Sequence, residues 1–321
     1  MALPSSGPLA MSQVNVELGR ASNAAISLGE SAVRDLAGVS FGAISMQSLR
    51  GKSAMPPTLV YGQQAYTSPG TYSWIAPPDV YGVSVVCVGA GGTAGAYGAS
   101  GGALAWKNAI AVNPGQAYTV MVGASNTRNF ESPYEFPADP SSALGVLANG
   151  GIGGYSGKSI PSWNTNPQIG SGFDGGGVGG FGSSDFFQSG VGYRRGAGGG
   201  AGGYTGKGGN AGFGNTVTGQ AGAGGGGGGG TPAPNTSQAS GGGGTGIFGQ
   251  GANGAGSPAH SGAGGGGGSG GTDGGLYVAG FYGGGSGGMG SGTPNGEGRH
   301  GAVRIIWGAG RAFPSTNTGD V

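Results

Sequence analysis

Apolar and polar positions alternate with three different rhythms along this chain. Up to about Pro57 the apolar residues recur at helical spacing in short stretches. Ser12 is placed to cap a helix over Gln13–Leu18 with Gly19 as its stop, Glu30–Ala37 ends at Gly38, and Ser45–Arg50 ends at Gly51. Each stretch offers two or three apolar residues, among them Val14, Val33, Leu36 and Leu49. That is too few for an independent core, so this zone is expected to dock onto a partner or onto a copy of itself.

The second rhythm is that of strands. Tyr72 and Trp74 alternate with Thr71 and Ser73, Val83–Val88 is apolar on both faces from Val85 onward, and Leu104 and Trp106 start a run ending at Val112. Asn113-Pro114-Gly115-Gln116 has Pro and Gly where a type II turn needs them, and Tyr118, Val120 and Val122 follow on one face, which predicts a hairpin. Far downstream, Ala302–Trp307 puts Val303, Ile305 and Trp307 on one side and Arg304 on the other, a strand expected to close a small β-sandwich.

That pairing makes the residues between one insertion with both ends pinned at the same sheet, and here the third rhythm takes over. Gly175–Gly177, Gly198–Gly200, Gly224–Gly230, Gly241–Gly244 and Gly264–Gly268 alternate with segments rich in aromatics, Ser, Thr and Asn. Glycine loses more backbone freedom on folding than any other residue, which favours a flexible tether. Extended left-handed helices with three residues per turn offer the alternative, since without side chains they approach closely enough for interchain N–H···O=C and Cα–H···O=C contacts. Runs of similar length with apolar and turn-forming interruptions favour that bundle over a monotonous linker. The expected fold is mainly β: a helical anchor over residues 1–57, a β-sandwich from 58–123 plus 299–310, an inserted polyglycine II bundle over 124–298, and a tail from 311 to 321.

Composition narrows the function. Of 321 residues 87 are Gly, about four times ordinary usage, yet neither a strict triplet nor high proline marks collagen. Thirteen basic residues face 12 acidic ones, thinly scattered, which argues against a phosphate-tracking nucleic-acid binder. The single cysteine, Cys87, lies in an apolar run and reads as a buried small hydrophobe; His260 and His300 are too few and too far apart for a zinc site. No cofactor or structural metal is expected. Neither a signal peptide nor a membrane span is apparent, so synthesis in the cytoplasm without membrane insertion is expected.

Glycine abundance generates chance motifs. Gly51-Lys52-Ser53 and Gly157-Lys158-Ser159 resemble the end of a phosphate-binding loop, but Met46 and Ile152 stand where its leading Gly belongs. Ser40 and Ser100 have nucleophile-elbow spacing without a positioned base, for which His300 is a poor candidate. Glu131, Glu135 and Asp139 are spaced by four, but Pro133, Pro137 and Pro140 break the helix that would align them. Asn235-Thr236-Ser237 reads as a loop rather than a glycosylation acceptor, and Arg194-Arg195 as a solvated loop. The chain is not expected to be an enzyme.

Large side chains sit in the interruptions between Gly runs, where a glycine core leaves no room. They must flank the bundle, pack against the sandwich or stand at loop tips, where Tyr and Trp give large contact area at low rotamer cost. Tyr134, Phe136, Trp163, Phe186, Phe187, Tyr193 and Arg194 are the candidate receptor or partner contacts.

The opening Leu3-Pro4-Ser5-Ser6-Gly7-Pro8-Leu9, with Ser12–Gly19 after it, resembles the N-terminus of many tailed-phage structural proteins, as does Thr71–Pro77 running into Val83–Val86. Gly301–Trp307 with Phe313–Thr318 is similar to the C-termini of glycine-rich virion proteins, including those of cyanophages. In composition alone the Gly zone resembles the distal-tip adhesins of T-even-like phages, polyglycine II sandwiches whose loops carry host-receptor recognition. No residue of those loops carries over. The resemblance implies a virion protein of the phage tail, a tail-fibre or tail-tip adhesin in a homo-oligomeric assembly. Its N-terminal region would meet other tail proteins, and its aromatic loops a host receptor, protein or glycan. The alternative is an architectural part, such as a decoration, collar or tail-associated protein, without a receptor role.

Overall fold

The computed structural model describes residues 2–39, 41–53, 61–95, 97–125, 137–154, 169–184, 186–188, 192–213, 217–232, 239–258, 264–268, 270–288, 296–315 and 318. The chain divides into two compact units, Met1–Val60 and Tyr61–Val321.

In the first unit, α1 spans Met11–Glu17 and α2 spans Ser31–Ala37, followed by a 3-10 turn at Met46–Leu49. Ala10, not Ser12, caps α1: its N–H donates to Gln13 Oε1 at 2.8 Å, so the side chain three residues on does the capping. Gly38 ends α2 in the left-handed region, at φ 71°, where a Cβ would be strained. The Arg20 guanidinium, 2.6 Å from Glu30, and the Ser27 N–H hold the Glu30 carboxyl below its ordinary range. The unit has a core of its own, contrary to the sequence expectation. Leu3, Val14, Val33, Leu36, Ala37 and Leu49 are buried together. Loop residues Leu9, Ile26, Leu28 and Ile44, which carry no helical period, pack around them. The opening segment is tied in by Leu3 N–H donating to the Lys52 carbonyl at 2.8 Å.

The second unit contains β1 (Gly62–Tyr66), β2 (Gly70–Ile75), β3 (Gly82–Val88), β4 (Leu104–Ala111), β5 (Ala117–Val122), β6 (Ser141–Ala143), β7 (Val146–Ala148), β8 (Gly170–Ser171), β9 (Gly175–Gly177), β10 (Phe186–Gln188), β11 (Gly192–Arg194) and β12 (Ala302–Trp307). Two antiparallel five-stranded sheets pack as a sandwich, ordered β1-β12-β3-β4-β9 and β2-β5-β6-β7-β8. Strands β6 to β9 come from the stretch expected to be pure insertion, so the sandwich extends past residue 123. These strands are two or three residues long, too short to leave an alternation in the sequence.

The turn at Asn113–Gln116 forms as expected, with Gln116 N–H donating to the Asn113 carbonyl at 3.1 Å and Gly115 at φ 78°. It does not make a hairpin. Both sides of β4 are taken by β3 and β9, and β5 lies between β2 and β6 in the other sheet, so the turn carries the chain from one sheet to the other. Consequently the stretch after β5 leaves from one sheet and rejoins, at β12, the other. Strand β12 is central rather than closing, because β1, which shows no apolar alternation, takes the edge.

The first sheet is buried on both faces, which explains the two-sided apolar run in β3. Val85, Cys87, Val303 and Ile305 face the second sheet: Cys87 Sγ lies 3.8 Å from the Val146 carbonyl, and the Trp307 and Trp74 rings are 5.9 Å apart. The opposite face, with Val86, Val88, Leu104 and Ile306, is covered by Tyr204, Ile247 and Phe313. Tyr204 is fully buried, donates to the Gly246 carbonyl at 3.0 Å and accepts from Gly249 N–H at 3.1 Å. Burial pushes the Cys87 thiol up to about 12 and raises the Tyr204 hydroxyl well above its ordinary value.

Arg304, on the side of the strand opposite Val303, Ile305 and Trp307 as expected, is wholly buried under this cover. Its guanidinium lies over the Phe248 ring at 4.5 Å and donates to the carbonyls of Ile247 and Thr318 and to Gln63 Oε1. Arg311 donates to the same Gln63 oxygen at 3.1 Å and the same Thr318 carbonyl at 3.2 Å. A buried cation is tolerated only when hydrogen-bonded, and carbonyls supply that here. Residues 311–315 and 318 are therefore part of the packed unit, not a free tail; Asn108 grips Phe313 through both its N–H (2.9 Å) and its carbonyl (2.6 Å).

Beyond the sandwich, the glycine segments are joined by a hydrogen-bond pattern that is neither helix nor sheet. Gly98, Ala99 and Ser100 donate to the carbonyls of Ser183, Ser286 and Ile152; Gly101, Gly102 and Ala103 then donate to Gly180, Gly283 and Asn149, all at 2.7–3.0 Å. Each third residue returns to the same neighbour, three residues back. Ser240, Gly241 and Gly242 repeat this toward Thr231, Gly275 and Gly285, and Gly243, Gly244 and Thr245 toward Gly228, Thr272 and Tyr282. An α-helix would bond within itself and a strand would alternate between two sides; these segments turn through three neighbours. A Cβ on Gly98, Gly101 or Gly242 would overlap the carbonyl of Ala197, Gly200 or Gly199, which is why the segments need glycine.

Gly200→Ala, whose methyl would overlap the Gly227 carbonyl, should destabilise the protein by at least about 1–3 kcal/mol. Gly275→Ala, where the nearest atom is 3.9 Å away, should stay within about 0.5 kcal/mol; denaturant titration of the two variants checks this. Stability should also be full below about pH 8.5, where an unfolded thiol is still protonated. It should fall as pH rises toward 12, because unfolding releases the Cys87 proton that burial retains. In Cys87→Ala the part of that loss arising below the tyrosine range should disappear from the denaturation midpoints.

Candidate functional site

The glycine segments run outward from the sandwich and back. Near the sheets, Gly89 N–H donates to the Ala103 carbonyl and Tyr204 N–H to the Gly224 carbonyl. At the far end, the returning and departing segments are linked in one belt. Gly212 donates to Gly230, Ser240 to Thr231, Ala239 to Gly288, Gly288 to Gly196, Ser183 to Ala197 and Gly98 to Ser183, each at 2.8–3.1 Å. Described residues on either side of 214–216, 233–238 and 289–295, and of the β10–β11 ribbon, therefore lie side by side at the end remote from the sandwich.

This placement follows from composition. Inside the bundle only Gly, Ala, Ser and Thr fit against a neighbouring backbone, as the buried Ala197, Ala201, Thr231 and Ser240 illustrate. Bulky residues are tolerated where segments turn. At the sandwich end such residues, Tyr204, Ile247 and Phe248, are packed on the first sheet. At the far end they are exposed: Phe181 at 37%, Phe213 at 44% and Val217 at 50%. Phe181 N–H donates to Asn210 Oδ1 at 3.0 Å and its carbonyl accepts from Ala211 N–H at 2.8 Å, which sets Phe181 beside the segment leading to Phe213.

The ribbon β10–β11 leaves this belt between Ser183 and Ala197, whose backbones pair at 2.8 Å. Its register sets Phe187 opposite Tyr193 and Phe186 opposite Arg194. Four of the seven candidate contacts thus share one element at the distal end; Tyr134, Phe136 and Trp163 lie outside the described residues. Arg194, read as part of a loop, belongs to β11, and Arg195 beside it is half-buried. Phe181 and Phe213 are each a lone aromatic between glycines, which sets them apart from nothing in the sequence; their signal is position beside the ribbon, which the hydrogen-bond belt reveals.

A second aromatic group lies where the chain re-enters β12. Arg299 stacks on Phe281 at 4.4 Å and sits 3.7 Å from Glu297, while His300 packs 4.8 Å from Phe281 and 5.8 Å from Tyr282. Burial raises the Tyr282 hydroxyl, opposed by a hydrogen bond with Thr67. His300 Nδ1 is 2.9 Å from the Gly301 carbonyl, which can only accept, so that nitrogen carries the proton. Ser100 is occupied with Ile152, whose N–H it accepts at 2.7 Å. Glu131 and Glu135 lie outside the described residues, as do Ser40, Lys158 and His260. Among the described residues no group of three or more His, Cys, Asp or Glu could hold a metal ion, and no helix is long and apolar enough to cross a membrane.

No family model matches this chain, and no curated protein matches it.

Exchanging Phe181 and Phe213 for Ser should leave thermal stability within about 0.5 kcal/mol of the parent, since both rings are exposed and neither fills the core. Tyr204→Ala, by contrast, should cost roughly 3–5 kcal/mol by analogy with buried aromatic truncations; calorimetry on the variants compares the two ends of the same segments.

Proposed function

We propose that this chain is a structural component of a tailed-phage virion, a tail-fibre or tail-tip adhesin that displays a cluster of loops for host-surface recognition. The observation that carries the reading is the belt of backbone bonds at the far end of the glycine segments. It gathers the described ends of successive glycine segments, and the aromatic β10–β11 ribbon, at one end of the unit, while Tyr204, Ile247 and Phe248 at the other end of those segments are packed on the first sheet.

The segments themselves we read as polyglycine II helices, a reading supported by donors that rotate through three neighbours with a three-residue repeat. A bundle tied in three directions holds its loops at fixed spacing, so contact with a surface loses little further conformational entropy. Phe, Tyr and Arg suit such contact, since they present large area with few rotatable bonds or a planar set of donors. The sequence resemblance of the N-terminal third and the last strand to tailed-phage virion proteins supports the same location.

The test replaces Tyr134, Phe136, Phe186 and Phe187 with Ser in the phage and measures adsorption alongside particle yield. Adsorption should fall with yield unchanged. Normal adsorption with normal yield would reject the adhesin role at these positions, and a fall in yield would assign the same side chains to contacts between virion subunits.

A further inference from the structure

The two sides of the sandwich end differently. On one side the sheets finish in β8 and β9, strands of two and three residues. Such short edges give a foreign strand little to pair with. On the other side they finish in β1 and β2, of five and six residues, joined through Thr67–Pro69, with the Tyr66 and Tyr72 rings 5.0 Å apart.

Sheet proteins protect edges of that length with charges, prolines or bulges. Strand β2 has none of these. From Tyr61 to Ala76 there is no charged residue, the one proline, Pro69, lies between the strands, and β2 pairs with β5 along its whole length without a register shift. Among the described residues no backbone group pairs with the outer edge of β2. At its end Ile75 is 62% exposed, a large apolar side chain left beside the open edge.

We propose that the outer edge of β2 pairs, antiparallel and about a two-fold axis, with the same edge of a second copy of this chain. A two-fold sets a strand against itself, so any charge near the axis meets its own like; an uncharged edge is what self-pairing requires. The register follows from keeping Tyr72 and Trp74 on the core-facing side in both copies. Ser73 then lies opposite Ser73 of the other copy, Tyr72 opposite its Trp74, and Thr71 opposite its Ile75, which covers the exposed side chain. The two sheets containing β2 become one continuous sheet. A six-residue strand pair buries less than the standard interface of about 800 Å² per partner. Self-association is therefore concentration-dependent in solution and strengthened wherever an assembly holds two copies close together.

Sedimentation of the full chain over a concentration series tests this. The parent should show a monomer–dimer equilibrium. Ser73→Lys, placing like charges across the axis at an exposed position, should weaken it by roughly tenfold, as should Ser73→Glu, while an equimolar mixture of the two should restore dimer. Thr71→Lys provides a second variant, and unchanged near-ultraviolet dichroism from Trp74 confirms that each remains folded. A parent that stays monomeric, forms a trimer, or dimerises equally well with Lys at position 73 overturns the proposal, as does a Lys–Glu mixture that fails to dimerise.

Discussion

Everything in the larger unit depends on a carbonyl oxygen being able to rest against the Cα of a neighbouring segment. With that approach allowed, backbone N–H groups along the segments find neighbours in rotation, and a three-dimensional array replaces the oily interior. With a side chain in the way, the array cannot close. Each such bond contributes only about 0.5–1.5 kcal/mol net, and glycine loses more freedom on ordering than any other residue. The array therefore needs many bonds and a firm boundary. The sandwich provides the boundary, because the segments from Gly89, Gly123 and Asn149 continue directly from β3, β5 and β7.

The boundary has its own requirement. Since the glycine segments bury little apolar surface, hydrophobic stabilisation concentrates in the first sheet, covered on both faces. One cover is the second sheet; the other is assembled from the turns at Tyr204 and Ile247 and from the C-terminal segment at Phe313. The buried Arg304 ties that second cover together by spending its donors on carbonyls from distant parts of the chain. Chain reversals at the sandwich end are thus structural.

Local pattern made part of this legible. The β3 run, the Asn113–Gln116 turn and the Gly38 stop of α2 are written in consecutive residues, and they form where the pattern puts them. What escaped is non-local. Whether the turn folds back or crosses between sheets depends on β9 filling the other side of β4, and β9 is three glycines with no strand signature. Alternation placed Arg304 on the other side of its strand and could not anticipate that a second cover buries it. The core of the first unit was missed because half its members come from loops. At the distal end, composition identified aromatics as candidates and register joined four of them on one ribbon. The belt that brings Phe181 and Phe213 beside that ribbon consists largely of backbone bonds between small residues distant in sequence, which no local side-chain pattern encodes.

An array held mainly by backbone bonds, with Ser and Thr hydroxyls adding a few, depends little on the large side chains at its turns. A substitution in a core of interlocking side chains is felt by its neighbours; a bond between two backbones does not depend on the identity of a side chain elsewhere. On the proposed function this separation matters, because a recognition surface must vary while its support does not. Glycine segments fix where each loop begins and ends, and leave its length and chemistry open. The same indifference sets the limit: variation within the segments is confined to residues no larger than the gap between backbones, so new specificity can enter only at the tips.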